Sequence, residues 1–235
     1  MGYGYMAYYA TGILLIPAII FTLYAQFRVQ SSFKKYSKIR NYRNITGAEA
    51  ARRVLDANGL EDVSIEMIDG NLTDHYDPRS RVLRLSESVC NVNSVAAVGV
   101  ACHEAGHAIQ HANGYAPLKI RNSIVPVASF ASNFSWILVM IGIGLLAYGS
   151  YMGDTIFNIG VLMMLAVIFF HTITLPVEFN ASSRALAQME ELGIVSDDDR
   201  RGAKKVLRAA ALTYVAALAV AIGNLLRMLA LRNRD

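Results

Sequence analysis

Four long apolar stretches limit what this chain can fold into more than any other feature of its sequence. The first lies within residues 1–27, and the others cover about residues 124–149, 155–175 and 209–228. Each is long enough to supply the roughly 20 residues that an α-helix needs to cross a bilayer. With 54% apolar residues overall, the composition is unlike that of an ordinary soluble protein. The sequence therefore predicts a mostly α-helical integral membrane protein with about four transmembrane helices in a lipid bilayer.

A basic run after the first stretch predicts the orientation of the chain. It holds six cations and no acidic residue: Arg28, Lys34, Lys35, Lys38, Arg40 and Arg43. The positive-inside rule then places the N-terminus outside and the residues after Arg28 in the cytoplasm. The same run suits anionic lipid headgroups, so the net charge of +4 indicates no nucleic-acid partner.

The remaining apolar stretches follow the same rule. The link Gly149–Asp154 contains no Lys or Arg, as an external turn should. Residues 155–175 then return the chain to the cytoplasm, where residues 176–208 are predicted to form a helical segment. The last stretch has basic residues at both ends, so residues 209–228 form either a transmembrane or an interfacial helix.

Residues 28–123 are predicted to form a basic linker followed by a small cytoplasmic α+β part. A capping-box pattern at Thr46 and a stop at Asn58 bound a helix. Alternation across residues 63–67 predicts a strand. Residues 72–76 and 82–85 flank a turn sequence and predict a hairpin. The edge of that hairpin could pair with an extended peptide, although an edge covered by a helix is the simpler alternative.

The pentapeptide His103-Glu104-Ala105-Gly106-His107 is the chain's strongest chemical motif. It lies in an Ala- and Val-rich run that predicts a helix over residues 94–112. The two histidines are four residues apart, so they occupy one helix face and can bind one zinc ion. Glu104 points away from the ligand direction, where it can act as general base on a zinc-activated water.

A catalytic zinc site needs a third protein ligand. Glu178 follows Pro176 at the predicted cytoplasmic boundary, which favours this carboxylate on topology. The competing candidates are Glu87, Glu190 and Glu191. Glu87 lies in the loop before the metal helix, and the other two lie at an acidic, solvated helix end.

The third histidine of this helix and the two cysteines of the chain are not predicted to bind the zinc ion. His111 is eight residues beyond His103, about 12 Å along a helix, so it cannot share their ion and is either a supporting or a surface residue. The two cysteines, Cys90 and Cys102, have no spacing that indicates a disulfide framework or a thiolate metal site. Cys102 is predicted to pack against neighbouring side chains.

Along nearly its whole length, the chain resembles the YugP-like neutral zinc metallopeptidases of bacterial membranes. The motifs that carry this resemblance are residues 34–37, 46–49, 72–81, 101–110, 175–184 and 211–215. The resemblance implies an integral membrane zinc peptidase with His103, His107 and a downstream glutamate as ligands. The glutamate that matches the family's Pro-Val-Glu-Phe motif is Glu178.

The chain departs from the more distant HtpX-like membrane gluzincins at the third ligand. Those proteins show a Glu-x-x-Ala-Asp pattern, whereas this chain has Ser182 in place of the aspartate. In that pattern the aspartate supports the metal ligands through hydrogen bonds. Asn180, Ser182 and Arg184 are the candidates for that part here.

Together these features predict a membrane zinc metalloendopeptidase with a small cytoplasmic zincin-like domain, an HExxH helix plus a short sheet. Its substrates would be membrane or membrane-proximal polypeptides, with Glu104 as base and Tyr214, His75 or Arg184 as oxyanion donor. The alternative is a non-catalytic membrane scaffold or partner protein with a structural zinc site, but such a site has no use for Glu104. A zinc-dependent hydrolase that acts on something other than a peptide is another rival, and a transporter is a weaker one. A homo-oligomer or a membrane partner protein is compatible with either function.

Overall fold

The computed structural model describes residues 11–232, which form seven α-helices and three β-strands. The helices are α1 (Ile16–Tyr36), α2 (Gly47–Ala57), α3 (Glu87–Cys90), α4 (Val95–Ala112), α5 (Ala116–Ala147), α6 (Met152–Glu191) and α7 (Asp197–Arg232). The strands are β1 (Ser64–Ile68), β2 (His75–Asp77) and β3 (Val82–Ser86). A short 3-10 turn, Ile13–Leu15, precedes α1. The prediction of a mostly helical chain with a short sheet is confirmed.

Four helical segments are long and apolar enough to cross a membrane, as the sequence predicts. They are Ile13–Tyr36, Ala116–Ala147, Met152–Glu191 and Asp197–Arg232. The part of the first predicted stretch before residue 11 lies outside the described residues. Each helix extends beyond its apolar stretch, and α6 runs on through Pro176, where the sequence suggested a boundary. Helices in apolar surroundings tolerate proline because neighbouring groups satisfy the freed backbone carbonyl.

The described residues divide into two compact units. The apolar unit contains residues 11–25, 120–175 and 213–232, and the polar unit contains residues 26–119 and 176–212. In the apolar unit, glycines let α5 and α6 approach closely. A Cβ at Gly142 would lie 2.6 Å from the backbone nitrogen of Phe157, and one at Gly160 would lie 2.6 Å from the Val139 side chain. Such contacts between small residues are typical of helix packing in membranes.

The polar unit is built around α2 and α4. Helix α2 begins with the predicted capping box, in which Thr46 and Glu49 bond each other's backbone N–H groups. It ends before Gly59, whose φ of +69° favours glycine. Its fully buried face, Val54 and Leu55 among others, belongs to the same apolar core as α4. Burial of this face holds α4 in the centre of the unit.

A three-stranded sheet covers another part of that core, in the order β1-β3-β2. The predicted hairpin is confirmed, because β2 and β3 pair antiparallel; β1 pairs with β3 in parallel. Leu83 and Leu85 of the central strand are completely buried. The alternation in β1 buries its apolar positions only in part, since Met67 is 54% exposed. Strand β2 is an edge of this sheet.

Candidate metal centre

Helix α4 carries both motif histidines and has the predicted bounds. Ser94 caps its first turn by accepting a hydrogen bond from the Ala97 N–H at 3.1 Å, and Asn113 and Gly114 end it. Nearly all of its residues are buried. Its small side chains, mostly Ala, Gly and Val, let other elements pack around it on several sides.

His103, His107 and Glu178 come together at the centre of the polar unit. Their potential ligand atoms all lie within 4.8 Å of one another. The Nε2 atoms of His103 and His107 are 3.3 Å and 3.7 Å from the same Glu178 oxygen, Oε2. The three side chains are only 13%, 11% and 5% exposed. Two ring nitrogens and one carboxylate therefore converge in a largely water-excluded space.

A hydrogen-bond chain orients the His107 ring. Gln110 donates both protons of its amide nitrogen, one to the Val177 carbonyl at 2.8 Å and one to Asn180 Oδ1 at 3.0 Å. The Gln110 side-chain oxygen therefore accepts a hydrogen bond from His107 Nδ1, at 3.0 Å. Because the proton of a neutral imidazole then lies on Nδ1, Nε2 keeps a free lone pair toward Glu178.

The residues that the sequence offered in place of the missing aspartate lie around the same cluster. Ser182 Oγ is 3.1 Å from His103 Nδ1. Asn180 accepts from Gln110 and also from Arg184 Nε, at 2.8 Å. Ser182 thus contacts a motif histidine directly, whereas Arg184 reaches His107 only through Asn180 and Gln110.

This donor set fits a zinc ion. Zinc in catalytic sites takes three protein ligands, commonly two imidazole nitrogens and one carboxylate, and leaves a position open. Metal-binding histidines typically hydrogen-bond through their other ring nitrogen, as His103 and His107 do here with Ser182 and Gln110. His103, His107 and Glu178 are the residues that could hold the metal.

Glu104 lies next to the cluster but faces β2. Its carboxylate accepts a hydrogen bond from the backbone N–H of Tyr76, and the side chain is 9% exposed. Burial raises the pKa of the Glu104 carboxyl to about 7, and the charge of Glu178 adds to this while that of His103 opposes it. Glu104 is therefore placed beside the cluster without being one of its three converging groups.

The other glutamates that competed for the third position lie elsewhere. Glu190 forms an ion pair with Arg200 at 2.9 Å, and Glu191 accepts from Gln188. Glu87 is exposed in the first turn of α3. Among residues 11–232, the group of His, Cys, Asp and Glu side chains placed to hold a metal contains Glu178 and none of these three.

The other residues that the sequence suggested for the site are not among the three converging side chains. His111 is outside the cluster and its Nδ1 is 2.9 Å from the Tyr76 hydroxyl. His75 is exposed on β2, with Nδ1 2.9 Å from the Thr73 carbonyl. Tyr214 belongs to the apolar unit, so its predicted role stays a prediction. Cys102 is completely buried, and burial raises the pKa of its thiol to about 12, as suits a packing residue.

Gln110 is the important residue that the sequence analysis missed. It is fully buried, although glutamine is usually exposed. Its position three residues after His107 places it near that histidine on the helix, and it is polar within a largely apolar run. Those two features are the signal that could have identified it.

Gly106 allows α4 to approach α6 closely, and a side chain here should disturb the site. A Cβ at this position would lie 2.6 Å from the Ala181 carbonyl oxygen. We expect Gly106→Ala to push Glu178 away from the histidines and to destabilise the fold by about 1–3 kcal/mol. Zinc titration and thermal unfolding in detergent would measure both effects.

Gly144→Ala is the matched control, because a Cβ there meets nothing within 4 Å. It should unfold at the wild-type temperature or slightly above it, because Ala favours a helix more than Gly does. If Gly106→Ala binds zinc with wild-type affinity and unfolds at the wild-type temperature, the close approach has no importance for the site.

Comparison with known proteins agrees with this geometry. A family described as "Putative neutral zinc metallopeptidase" matches residues 11–233. The chain is 48% identical to "Putative membrane protease YugP" of Bacillus subtilis (strain 168) over 224 aligned residues. The alignment covers 94% of this chain and 97% of the relative. No solved structure matches the chain. The chain therefore belongs to the neutral zinc metallopeptidase family and is a membrane protein of that family.

Proposed function

We propose that this protein is a membrane-embedded zinc metalloendopeptidase that cleaves membrane or membrane-proximal polypeptides at the cytoplasmic side of the bilayer. One observation carries the proposal. Two imidazole Nε2 atoms and a buried carboxylate converge within 4.8 Å, and a second buried carboxylate, that of Glu104, lies beside them. A ligand set with an adjacent base is what metal-assisted hydrolysis requires.

The residues divide the chemistry between them. His103, His107 and Glu178 hold the metal, while Ser182 and Gln110 keep the two rings oriented. A bound zinc ion supplies a Lewis acid that activates water and polarises the scissile carbonyl. Glu104 takes a proton from the attacking water and passes it to the leaving nitrogen. The backbone N–H of Tyr76 lies beside this carboxylate.

The position of β2 supports a polypeptide as the substrate. The N–H of Tyr76 contacts the proposed base, so this strand lies directly beside the site. Strand β2 pairs with β3 on one side, and within residues 11–232 no other strand pairs with it. An extended peptide can add to such an edge through backbone hydrogen bonds. This arrangement favours a peptide over other hydrolysable substrates.

Glu104 also argues against a structural zinc site. Burying a carboxyl group that binds no metal costs stability. A scaffold would gain nothing from keeping it beside the cluster, whereas a peptidase uses it in every turnover. The geometry thus favours catalysis over the scaffold alternative.

Cleavage by the purified full-length protein tests the proposed function. In detergent, the zinc-loaded protein should cleave casein and a membrane-protein substrate, lose activity on removal of the metal with a chelator, and regain it when zinc is returned. The measurement is product formation beside zinc content. Zinc-loaded protein that cleaves neither substrate, or metal-free protein that cleaves at an undiminished rate, would contradict the proposal.

The cytoplasmic location predicts a specific pattern of topology reporters. A reporter inserted near Asp69 should report the cytoplasm, and one at Gly153 should report the outside, because basic residues follow the first apolar stretch and none lies in the 149–154 link. Accessibility to a membrane-impermeant label in intact cells gives the same information. The reverse pattern would place the site on the external face.

A further inference from the structure

An open cavity lies within the polar unit, between α6 and α7. Its volume is about 510 Å³. Glu190 and Arg200, which form an ion pair, line one end. From there the walls extend along α6 to Phe179 and along α7 to Ala211. The proposed function makes no use of this cavity.

The cavity carries an excess of positive charge. Arg200, Lys204 and Arg208 line it at intervals of four residues, and so share one face of α7. Glu190 is its acidic lining residue and is paired with Arg200. The side chains of Lys204 and Arg208 make no ion pair or hydrogen bond with any residue between 11 and 232. Two uncompensated cations indicate an anionic ligand.

One end of the cavity lies close to two of the predicted apolar stretches. Arg208 directly precedes Ala209, where the fourth apolar stretch begins, and Phe179 follows closely after residue 175, where the third one ends. Phe179 and Ala211 form the end nearest these stretches, and Arg200 forms the opposite end. The cavity is thus amphipathic, with its cations beside the predicted level at which the bilayer begins.

The cavity does not share the metal-facing side of the site. Ser182 lines it, and the Ser182 hydroxyl contacts Nδ1 of His103. The Nε2 atom of the same ring faces Glu178 instead. Ser182 therefore contacts the ring at the nitrogen that does not face Glu178. A ligand in the cavity would contact the support of His103 and not the reacting atoms.

We propose that this cavity binds the phosphate headgroup of an anionic phospholipid from the adjoining leaflet. Lys204 supplies a compact cation, Arg208 a bidentate donor for phosphate oxygens, and Ser183 a hydroxyl at the same wall. Phe179 and Ala211 cover the start of the acyl chains. Basic side chains beside an apolar segment are the residues that attract anionic lipids. Binding here does not depend on peptidase activity.

Native mass spectrometry of the detergent-solubilised full chain tests the site. Phosphatidylglycerol and phosphatidylcholine with identical acyl chains are titrated against the wild type and a Lys204→Gln/Arg208→Gln double variant. The wild type should prefer phosphatidylglycerol, and the double variant should bind it roughly tenfold more weakly or worse. Its phosphatidylcholine binding should not change.

Two further variants keep the result interpretable. Arg53→Gln/Arg79→Gln removes the same charge from exposed positions outside the cavity and should bind like the wild type. Lys204→Arg/Arg208→Lys keeps the charge and should retain the preference, even if the glutamine variant folds poorly. Wild-type affinity in a folded glutamine variant, or loss in the charge-keeping one, overturns the proposal. So does displacement of the lipid by equimolar inorganic phosphate or by an acidic peptide, which would identify a soluble ligand instead.

Discussion

Replacing Glu104 with Gln should abolish peptide cleavage and leave zinc bound. Glutamine has nearly the same shape and still accepts the Tyr76 N–H through its amide oxygen, but it cannot take a proton from water. His103, His107 and Glu178 remain in place, so the metal should be retained. Loss of general acid–base catalysis lowers rates by about 10²–10⁴-fold. The measurements are the cleavage rate and the zinc content of the same preparation.

Glu87→Gln is the matched control for this variant. It makes the same chemical change at an exposed glutamate of the polar unit. This control should keep wild-type cleavage and zinc. If Glu104→Gln cleaves near the wild-type rate, Glu104 is not the base; if it loses zinc, the carboxylate is itself a ligand or supports one.

Replacing Glu178 with Ala should lower zinc affinity by more than the roughly 10–100-fold that removal of a supporting hydrogen bond costs. The reason is that this carboxylate is the group that meets both Nε2 atoms, at 3.3 Å and 3.7 Å. Two histidines on one helix turn leave the ion without its third protein ligand. Glu178→Asp should retain weak binding, because the shorter side chain still offers a carboxylate. Zinc titration of detergent-solubilised variants measures these affinities.

His111→Ala is the comparison that makes this result informative. His111 has the right chemistry for a ligand and lies on the same helix as the two histidines, but its Nδ1 faces the Tyr76 hydroxyl. Its removal should leave most of the zinc affinity intact. A His111→Ala protein that loses zinc, beside a Glu178→Ala protein that keeps it, would show that the proposed ligand set is wrong.

The hydrogen bonds around the site show which side chains orient the two motif histidines. Ser182 contacts His103 from α6, while Gln110 supports His107 from within α4. A serine hydroxyl can accept a hydrogen bond from the ring N–H while remaining uncharged. Each ring is therefore oriented by a neutral group, and Glu178 is the negative charge that both Nε2 atoms meet.

The elements that could be predicted from sequence depend on neighbours a few residues apart. The four apolar stretches, the capping box at Thr46 and the hairpin turn after Asp77 follow from composition and from turn and cap chemistry. The four-residue spacing of His103 and His107 likewise puts both rings on one face of any helix, whatever surrounds it. Helix geometry repeats every 3.6 residues, so such patterns can be recognised without knowledge of the fold.

The choice among glutamates and the support of the rings depend instead on residues far apart in the chain. Ser182 is 79 residues from His103, and Val177 is 67 residues from Gln110. Glu178 reaches the histidines because α6 continues through Pro176. In addition, Gly106 of α4 has no side chain, so the backbone of α6 can lie close to α4. Local periodicity carries no information about these contacts. They arise from close packing between helices, where one missing Cβ decides how near two backbones can lie.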